Sequence, residues 1–229
     1  MLASILLLAS PARAAEPPLL EVLGRRVIAP ASFIPVSNAA IVVPLALVVE
    51  AGSAWDAPGV LEAVLGKASL IFGRCGVALG ATEVTLARWS SEGLRRLNIE
   101  NPYKGPAQMA VMGDPLLPAR RPVAFLFANS IPSTASAYNV KSIEALSRQH
   151  PEVKSLLNTF WITIDRQTKR PADIAESYSV FAHELTHLLG NLPHTPASPN
   201  LMTDEDTPGA KSGDLLEEQC VEIRRLYGL

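Results

Sequence analysis

The pentapeptide His183-Glu184-Leu185-Thr186-His187 constrains this chain more than any other stretch of it. Residues four apart on a helix lie on one face, one turn from each other. A helix is predicted from about Asp173 to Leu189. On it, His183 and His187 offer two imidazole nitrogens to one metal ion, at the ~2.0–2.1 Å of a zinc–nitrogen bond. Glu184 projects beside that face, where a carboxylate can take a proton from water and later deliver it to a leaving amine. The flanking Val180, Phe181, Leu185, Leu188 and Leu189 are apolar. They bury the helix, so the polar trio is not a generic solvated face.

Histidine is scarce elsewhere. The 229-residue chain has four, and three of them fall within residues 183 to 194. The fourth, His150 before Pro151, reads as a surface residue. A catalytic zinc site needs a third protein ligand and an open position. Gly190 follows His187 by three residues and suits the left-handed turn that ends a helix and sends the chain back. Asn191-Leu192-Pro193-His194 then brings the third clustered histidine, and Ser198-Pro199-Asn200-Leu201-Met202-Thr203 follows.

Composition excludes several other classes. With 48% hydrophobic and 18% charged residues, the chain is not of the disordered type. The net charge is -2, and the basic doublets Arg95-Arg96, Arg120-Arg121, Lys169-Arg170 and Arg224-Arg225 are scattered. Nucleic-acid binding rests on clustered Lys and Arg, so no nucleic-acid partner is expected. Two cysteines are too few for a disulfide scaffold or a cysteine zinc cage.

Residues 2 to 9 are apolar, and Ala12-Arg13-Ala14 supplies a small-x-small site. Residues 1–14 are therefore expected to be a signal peptide and the protein to be periplasmic or secreted. The apolar run is far below the ~18 residues of a membrane span, so no stable membrane anchor is expected. In an oxidising compartment Cys75 and Cys220 can pair across a long loop; the alternative is two buried thiols.

Residues 15–40, rich in Pro and Ala, are expected to form an N-terminal extension over the surface, ahead of a catalytic domain at 41–229. Ala39 to Val49 reads as a buried strand with its entry, the strand proper being Leu45 to Glu50. A helix is expected from about Asp56, as its cap, to Cys75, stopped by Gly76. Val84–Trp89, Val123–Ala128, Ser133–Asn139 and Thr159–Asp165 read as strands. Residues 91 to 122 read as a long loop, where Met109 and Met112 fill gaps or line a cleft. Ser142 to Leu157 reads as helical with a break at Pro151, and a last helix is expected from about Asp214 to Leu226. Trp55, Trp89 and Trp161 are expected as core anchors. Strands alternating with helices in this order predict the fold class α/β (α+β), a mixed sheet with helices packed on it.

From His183 to Met202 the chain resembles the metzincin clan of zinc metallopeptidases. Their signature is HExxHxxGxxH followed by a tight turn carrying Met beneath the metal. The matching residues are His183, Glu184, His187, Gly190 and the turn-like Asn200-Leu201-Met202. The resemblance implies a zincin-like mixed, twisted sheet with an active-site helix and a C-terminal helix. It implies one zinc ion per chain held by His183, His187 and His194, with Glu184 as general base and Met202 as an apolar floor. It also implies that the strand carrying Ala135, Ser136, Ala137 and Tyr138 is the edge strand that pairs with an extended peptide or protein substrate. A monomeric exported endopeptidase is the expected function.

The chain departs from the clan's pattern in places. The clan's spacing puts the third ligand at position 193, which is Pro, and His194 comes one residue late. Either the loop after Gly190 bulges by one residue or another group binds. Asp204, Glu205 and Asp206 are nearby alternatives, and Glu217, Glu218 and Glu222 on the last helix are further ones. Some metzincins use a Tyr two residues after the Met to stabilise the oxyanion; that position here is Asp204, and Tyr138 is the substitute at hand. Residues 15–40 are too short for a globular inhibitory pro-domain, and no cysteine lies there to block zinc. Two other functions fit the same residues: a non-catalytic zinc-binding module that holds a peptide, and a metalloamidase acting on peptidoglycan. An intact Glu184 disfavours the first, and the lack of a wall-binding repeat disfavours the second.

Overall fold

Long apolar runs in Ile41–Glu50, Val123–Ala128 and Thr159–Ile164 dictate a sheet covered on both sides, because such strands bury both of their faces. The structure, a computed structural model, describes residues 20–29, 39, 41–90, 109–110, 113–117, 122–128, 134–164, 177–196, 200–203 and 213–228. The expected signal peptide and most of the 91–122 loop, Met112 included, lie outside the described residues, as do Asp204, Glu205 and Asp206.

The elements run β1 (Leu20–Ile28), β2 (Ile41–Glu50), α1 (Val60–Gly73), β3 (Val77–Trp89), β4 (Val123–Ala128), β5 (Thr134–Tyr138), α2 (Val140–Leu146), β6 (Thr159–Ile164), α3 (Tyr178–Gly190) and α4 (Glu217–Leu226), with short 3-10 turns at Ala54–Asp56, Asp114–Leu116 and Pro151–Leu156. They form one mixed α/β sheet in the order β1-β3-β2-β4-β6-β5. Strands β3, β2, β4 and β6 are parallel to one another, while β1 and β5 close the two ends antiparallel. The parallel pair β2 and β3 is joined through α1, the crossover that parallel neighbours require.

One face of the sheet carries α1, α3 and α4. There Val43, Leu45, Leu47 and Val49 of β2 meet Leu61, Leu65 and Phe72 of α1, and Phe181, Leu185 and Leu189 of α3. The opposite face has its own core around Phe125, Phe127, Trp89 and Trp161. Phe125 and Trp161 stack with centroids 4.0 Å apart. Trp55, Trp89 and Trp161 are all buried, as core anchors, and Met109 fills the far-face core.

Several details differ from the sequence expectation, among them β3, which begins at Val77 rather than Val84. Residues 20–28, expected to lie over the surface within the N-terminal extension, form β1 and pair with β3 from Leu20↔Trp89 to Ile28↔Thr82. Most of β1 is exposed, with only Ile28 buried, and Gly24 sits at a register shift, so its alternation is faint. Helix α1 begins at Val60 rather than Asp56. The Asp56 carboxylate accepts the Gly52 N–H at 3.0 Å, and Gly59 at φ +77° stands outside the helix. Strand β2 runs through Pro44, which is exposed and lies where the register with β3 shifts, so its missing N–H leaves no gap in the ladder.

Cys75, just past α1, and Cys220 in α4 form a disulfide, with Cα atoms 4.9 Å apart. It joins residues 145 apart in sequence. In the chain-entropy picture a cross-link of that span restricts the unfolded chain by about 5 kcal/mol. Arg74 and Asp214 form an ion pair beside it. The end of α1 and the start of α4 are thus held together covalently and electrostatically. No described helix is long and apolar enough to cross a membrane.

Candidate metal centre

Helix α3 is fixed by its apolar face. Phe181, Ala182, Leu185 and Leu189 sink into the core beneath the sheet, and Phe160 meets Phe181 edge-on at 5.1 Å. That rotation turns His183 and His187 toward the segment that follows the helix. His183 is fully buried, His187 half-buried and His194 exposed, so the trio opens to solvent on the His194 side.

The three imidazoles converge. His183 Nε2 lies 3.0 Å from His194 Nε2 and 3.2 Å from His187 Nε2. His187 Nε2 lies 3.2 Å from His194 Nε2. Three nitrogens ~2.0–2.1 Å from a tetrahedral ion stand ~3.3–3.4 Å apart, so the triangle has the size of a zinc-binding face.

The other ring nitrogens say why a cation belongs there. His183 Nδ1 lies 2.6 Å from the Leu201 carbonyl, and His187 Nδ1 lies 2.6 Å from the Leu192 carbonyl. A carbonyl only accepts, so in both rings Nδ1 carries the hydrogen and donates it. In the neutral imidazole Nε2 then presents a lone pair. Two lone pairs aimed at each other across 3.2 Å repel unless a positive charge lies between them. Backbone carbonyls that set the tautomer of metal-binding histidines are the usual supporting arrangement. The residues present therefore fit a divalent zinc-like ion.

The extra residue in the spacing is absorbed after the helix. Gly190 was expected to take the left-handed conformation; instead it remains in α3, and Asn191 takes it at φ +49°. Asn is among the few non-glycine residues that tolerate this region. Gly190 is needed for room: a Cβ there would stand 2.7 Å from the Leu192 side chain and 3.1 Å from Ile223. Any larger residue would push on Leu192, whose carbonyl holds His187. The loop from Asn191 then reaches His194 one residue past Pro193.

Of the alternative third ligands, those on α4 turn elsewhere. Glu217 pairs with Arg224 at 2.6 Å and Glu222 with Arg225 at 2.7 Å, and Glu218 is exposed. Among the described residues the metal-sized group of side chains is His183, His187 and His194. His150 stands apart from it, 3.4 Å from Glu152.

Glu184 is buried, one residue from His183 and three before His187 on the same helix. Tyr138, at the end of β5, is buried too. Burial first, and the Glu184 carboxylate second, raise its phenol above the ordinary value. Tyr138 therefore stays a neutral hydrogen-bond donor at any working pH, within electrostatic reach of Glu184. Its ring joins the far-face core with Ile143, Val153 and Trp161, whereas Ala135 and Ala137 pack on the α3 side. Strand β5 is the edge strand, hydrogen-bonded to β6 on one side and without a second strand partner among the described residues.

Met202 is fully buried in the core that carries α3. Its turn is pinned at several points. The Met202 N–H donates to Asn200 Oδ1 at 2.7 Å, and the Met202 carbonyl accepts from the Thr195 N–H at 2.9 Å. The sequence places Asn139 at the end of a strand and Asn200 in the turn before Met202, but the contacts that both make are set by the fold. Asn139 caps α2, accepting from the Ser142 N–H at 3.0 Å, and donates through Nδ2 to the His187 carbonyl at 3.3 Å. It thereby satisfies one of the carbonyls that a helix leaves open at its C-terminal end. An Asn directly before a helix was the available signal for the cap; the contact with α3 had none.

No family profile matches the chain, and no curated protein matches it. Among solved structures, the crystal structure of archaemetzincin from Methanopyrus kandleri is similar, at 13% sequence identity, covering 86% of this chain and 100% of that one with a TM-score of 0.49.

Proposed function

We propose that this chain is an exported, zinc-dependent endopeptidase of the metzincin type. The observation that carries the reading is the triangle of His183, His187 and His194 Nε2 atoms, 3.0–3.2 Å on a side, with Glu184 on the same helix. His183, His187 and His194 would hold one zinc ion. A zinc ion so bound supplies a Lewis acid that polarises a carbonyl and makes water more acidic.

The chain's own groups supply the rest. Glu184 takes the proton of the attacking water and passes it to the departing amine, the role its buried place beside the histidines suits. An extended substrate adds to the outer edge of β5 along Ala135, Ser136, Ala137 and Tyr138, its backbone fixed by strand-type hydrogen bonds. The small side chains of Ala135, Ser136 and Ala137 let a peptide approach closely. Met202 closes the apolar floor under the histidines. Export is supported by the Cys75–Cys220 bridge, since such bonds persist in oxidising compartments. The working unit is a monomer acting on a peptide or protein.

The test is digestion of an unbiased peptide library by the zinc-loaded protein, beside a chelator-treated sample. Internal cleavages that vanish with the chelator and return with added zinc are expected. An intact library beside cleaved peptidoglycan fragments would move the activity to amidase chemistry. Binding of peptides without cleavage of either would make this a non-catalytic module.

A further inference from the structure

His183 and His187 are held at Nδ1 in the same way but by different parts of the molecule. The carbonyl that fixes His187 belongs to Leu192, in the loop directly after α3. The carbonyl that fixes His183 belongs to Leu201, in the turn that carries Met202. That turn is held by backbone hydrogen bonds from Thr195 and to Asp214 and by buried side chains.

Asn200 is fully buried. Its Oδ1 accepts from the Met202 N–H at 2.7 Å and from Gln219 Nε2 at 3.3 Å. The Thr203 hydroxyl donates to the Asn200 carbonyl at 3.0 Å. Gln219 is buried in the first turn of α4, where its Oε1 accepts the Leu216 N–H at 2.8 Å and caps the helix. The Leu201 N–H donates to the Asp214 carbonyl at 3.1 Å, in the strand of chain leading into α4. Next to Gln219 stands Cys220, tied by its disulfide to the end of α1. A continuous path thus runs from a covalently anchored helix, through Gln219 and Asn200, to the carbonyl that orients His183.

The geometry points to Gln219 as a positioning residue for the metal centre, acting on the His183 imidazole through Asn200 and the Leu201 carbonyl. The amide does two jobs that no other side chain of its length does as a neutral group. Its oxygen caps α4, and its nitrogen donates to Asn200, leaving Asn200 Oδ1 fixed for Met202. Loss of the Nε2 donor removes one of the hydrogen bonds on Asn200 Oδ1, weakens the hold on the turn and lets the Leu201 carbonyl shift from His183 Nδ1. His187, held from its own loop, is left in place. This inference rests on the zinc reading above.

The experiment measures zinc affinity of the folded full chain by competition with a chromogenic chelator, and the visible absorption of the Co2+-loaded protein. Variants are Gln219→Met, which keeps the length and removes both hydrogen bonds, and Asn200→Ala. Val221→Ala, an exposed neighbour on α4, serves as control. Supporting contacts of this kind contribute about 10–100-fold to metal affinity. Gln219→Met should lose zinc affinity within that range and shift the Co2+ bands, with a far-ultraviolet dichroism spectrum like the wild type. Asn200→Ala should do the same, and the double variant should be no weaker than Asn200→Ala alone, because both act on one path. If Gln219→Met does not fold, Gln219→Glu carries the same test, keeping the acceptor for Leu216 and dropping the donor to Asn200. Wild-type zinc affinity and Co2+ bands in a folded Gln219 variant would overturn the inference and leave the zinc reading standing. A wild-type chain that takes up no zinc would overturn the zinc reading, and this inference with it.

Discussion

Glu184→Gln should retain its zinc and lose peptide hydrolysis by about 10²–10⁴-fold, the usual contribution of a positioned acid–base group. The substitution keeps size and most hydrogen bonding while removing the basic oxygen. Helix α3 should be undisturbed, since it is held by Phe181, Ala182, Leu185 and Leu189 rather than by Glu184. The three histidines, and therefore the zinc content, should be unchanged. The loss belongs in kcat more than in KM, because proton transfer occurs in the transition state and not in substrate binding. Glu184→Gln with near wild-type turnover, measured on any peptide cleaved in the library digest, would remove Glu184 from the mechanism. Glu184→Gln without zinc would mean that the carboxylate belongs to the metal site.

His194→Ala should weaken zinc binding by about 10²–10³-fold. Structural zinc sites bind with an apparent ~10–16 kcal/mol, which divided over four ligands gives ~2.5–4 kcal/mol for each. His194 Nε2 stands 3.0 Å from His183 Nε2 and 3.2 Å from His187 Nε2, so nothing distinguishes it geometrically from the two motif histidines. It is also exposed, and its removal should cost little stability. Glu217→Ala and Glu218→Ala should leave zinc binding unchanged, Glu217 being engaged with Arg224. Chelator competition on the three variants ranks them directly. A larger loss in Glu217→Ala or Glu218→Ala than in His194→Ala would relocate the third ligand to α4.

Much of this centre was legible in the sequence because it depends on local periodicity. Two histidines four apart on an apolar-faced helix have few ways to point, and both meet as expected. The central strands were legible for a similar reason, being continuous apolar runs with turn residues between them. A count of two cysteines leaves one possible pairing against two buried thiols, and the contact of α4 with the end of α1 decides for the bridge. What stayed hidden depends on tertiary contact. Strand β1 buries little more than Ile28, so its signal is that of a solvated segment until β3 is present to pair with it. The position of Gly190 at a helix end suggests a conformational role, but its role is steric, set by Leu192 and by Ile223 from a helix far along the chain. The left-handed position passed to Asn191, a choice that sequence spacing does not distinguish. Asn200 and Gln219 are nineteen residues apart, and the turn-like Asn200-Leu201-Met202 gives no sign of its contact with Gln219. Their meaning comes only from the turn they share.

The central claim is that His183, His187 and His194 bind one zinc ion through Nε2. Zinc-edge X-ray absorption on stoichiometrically loaded protein tests it most directly. One zinc per chain, with about three imidazole nitrogens at ~2.0–2.1 Å and a remaining light-atom ligand, is the predicted result. A protein that folds without taking up zinc, or a first shell with fewer than three imidazoles, would contradict it.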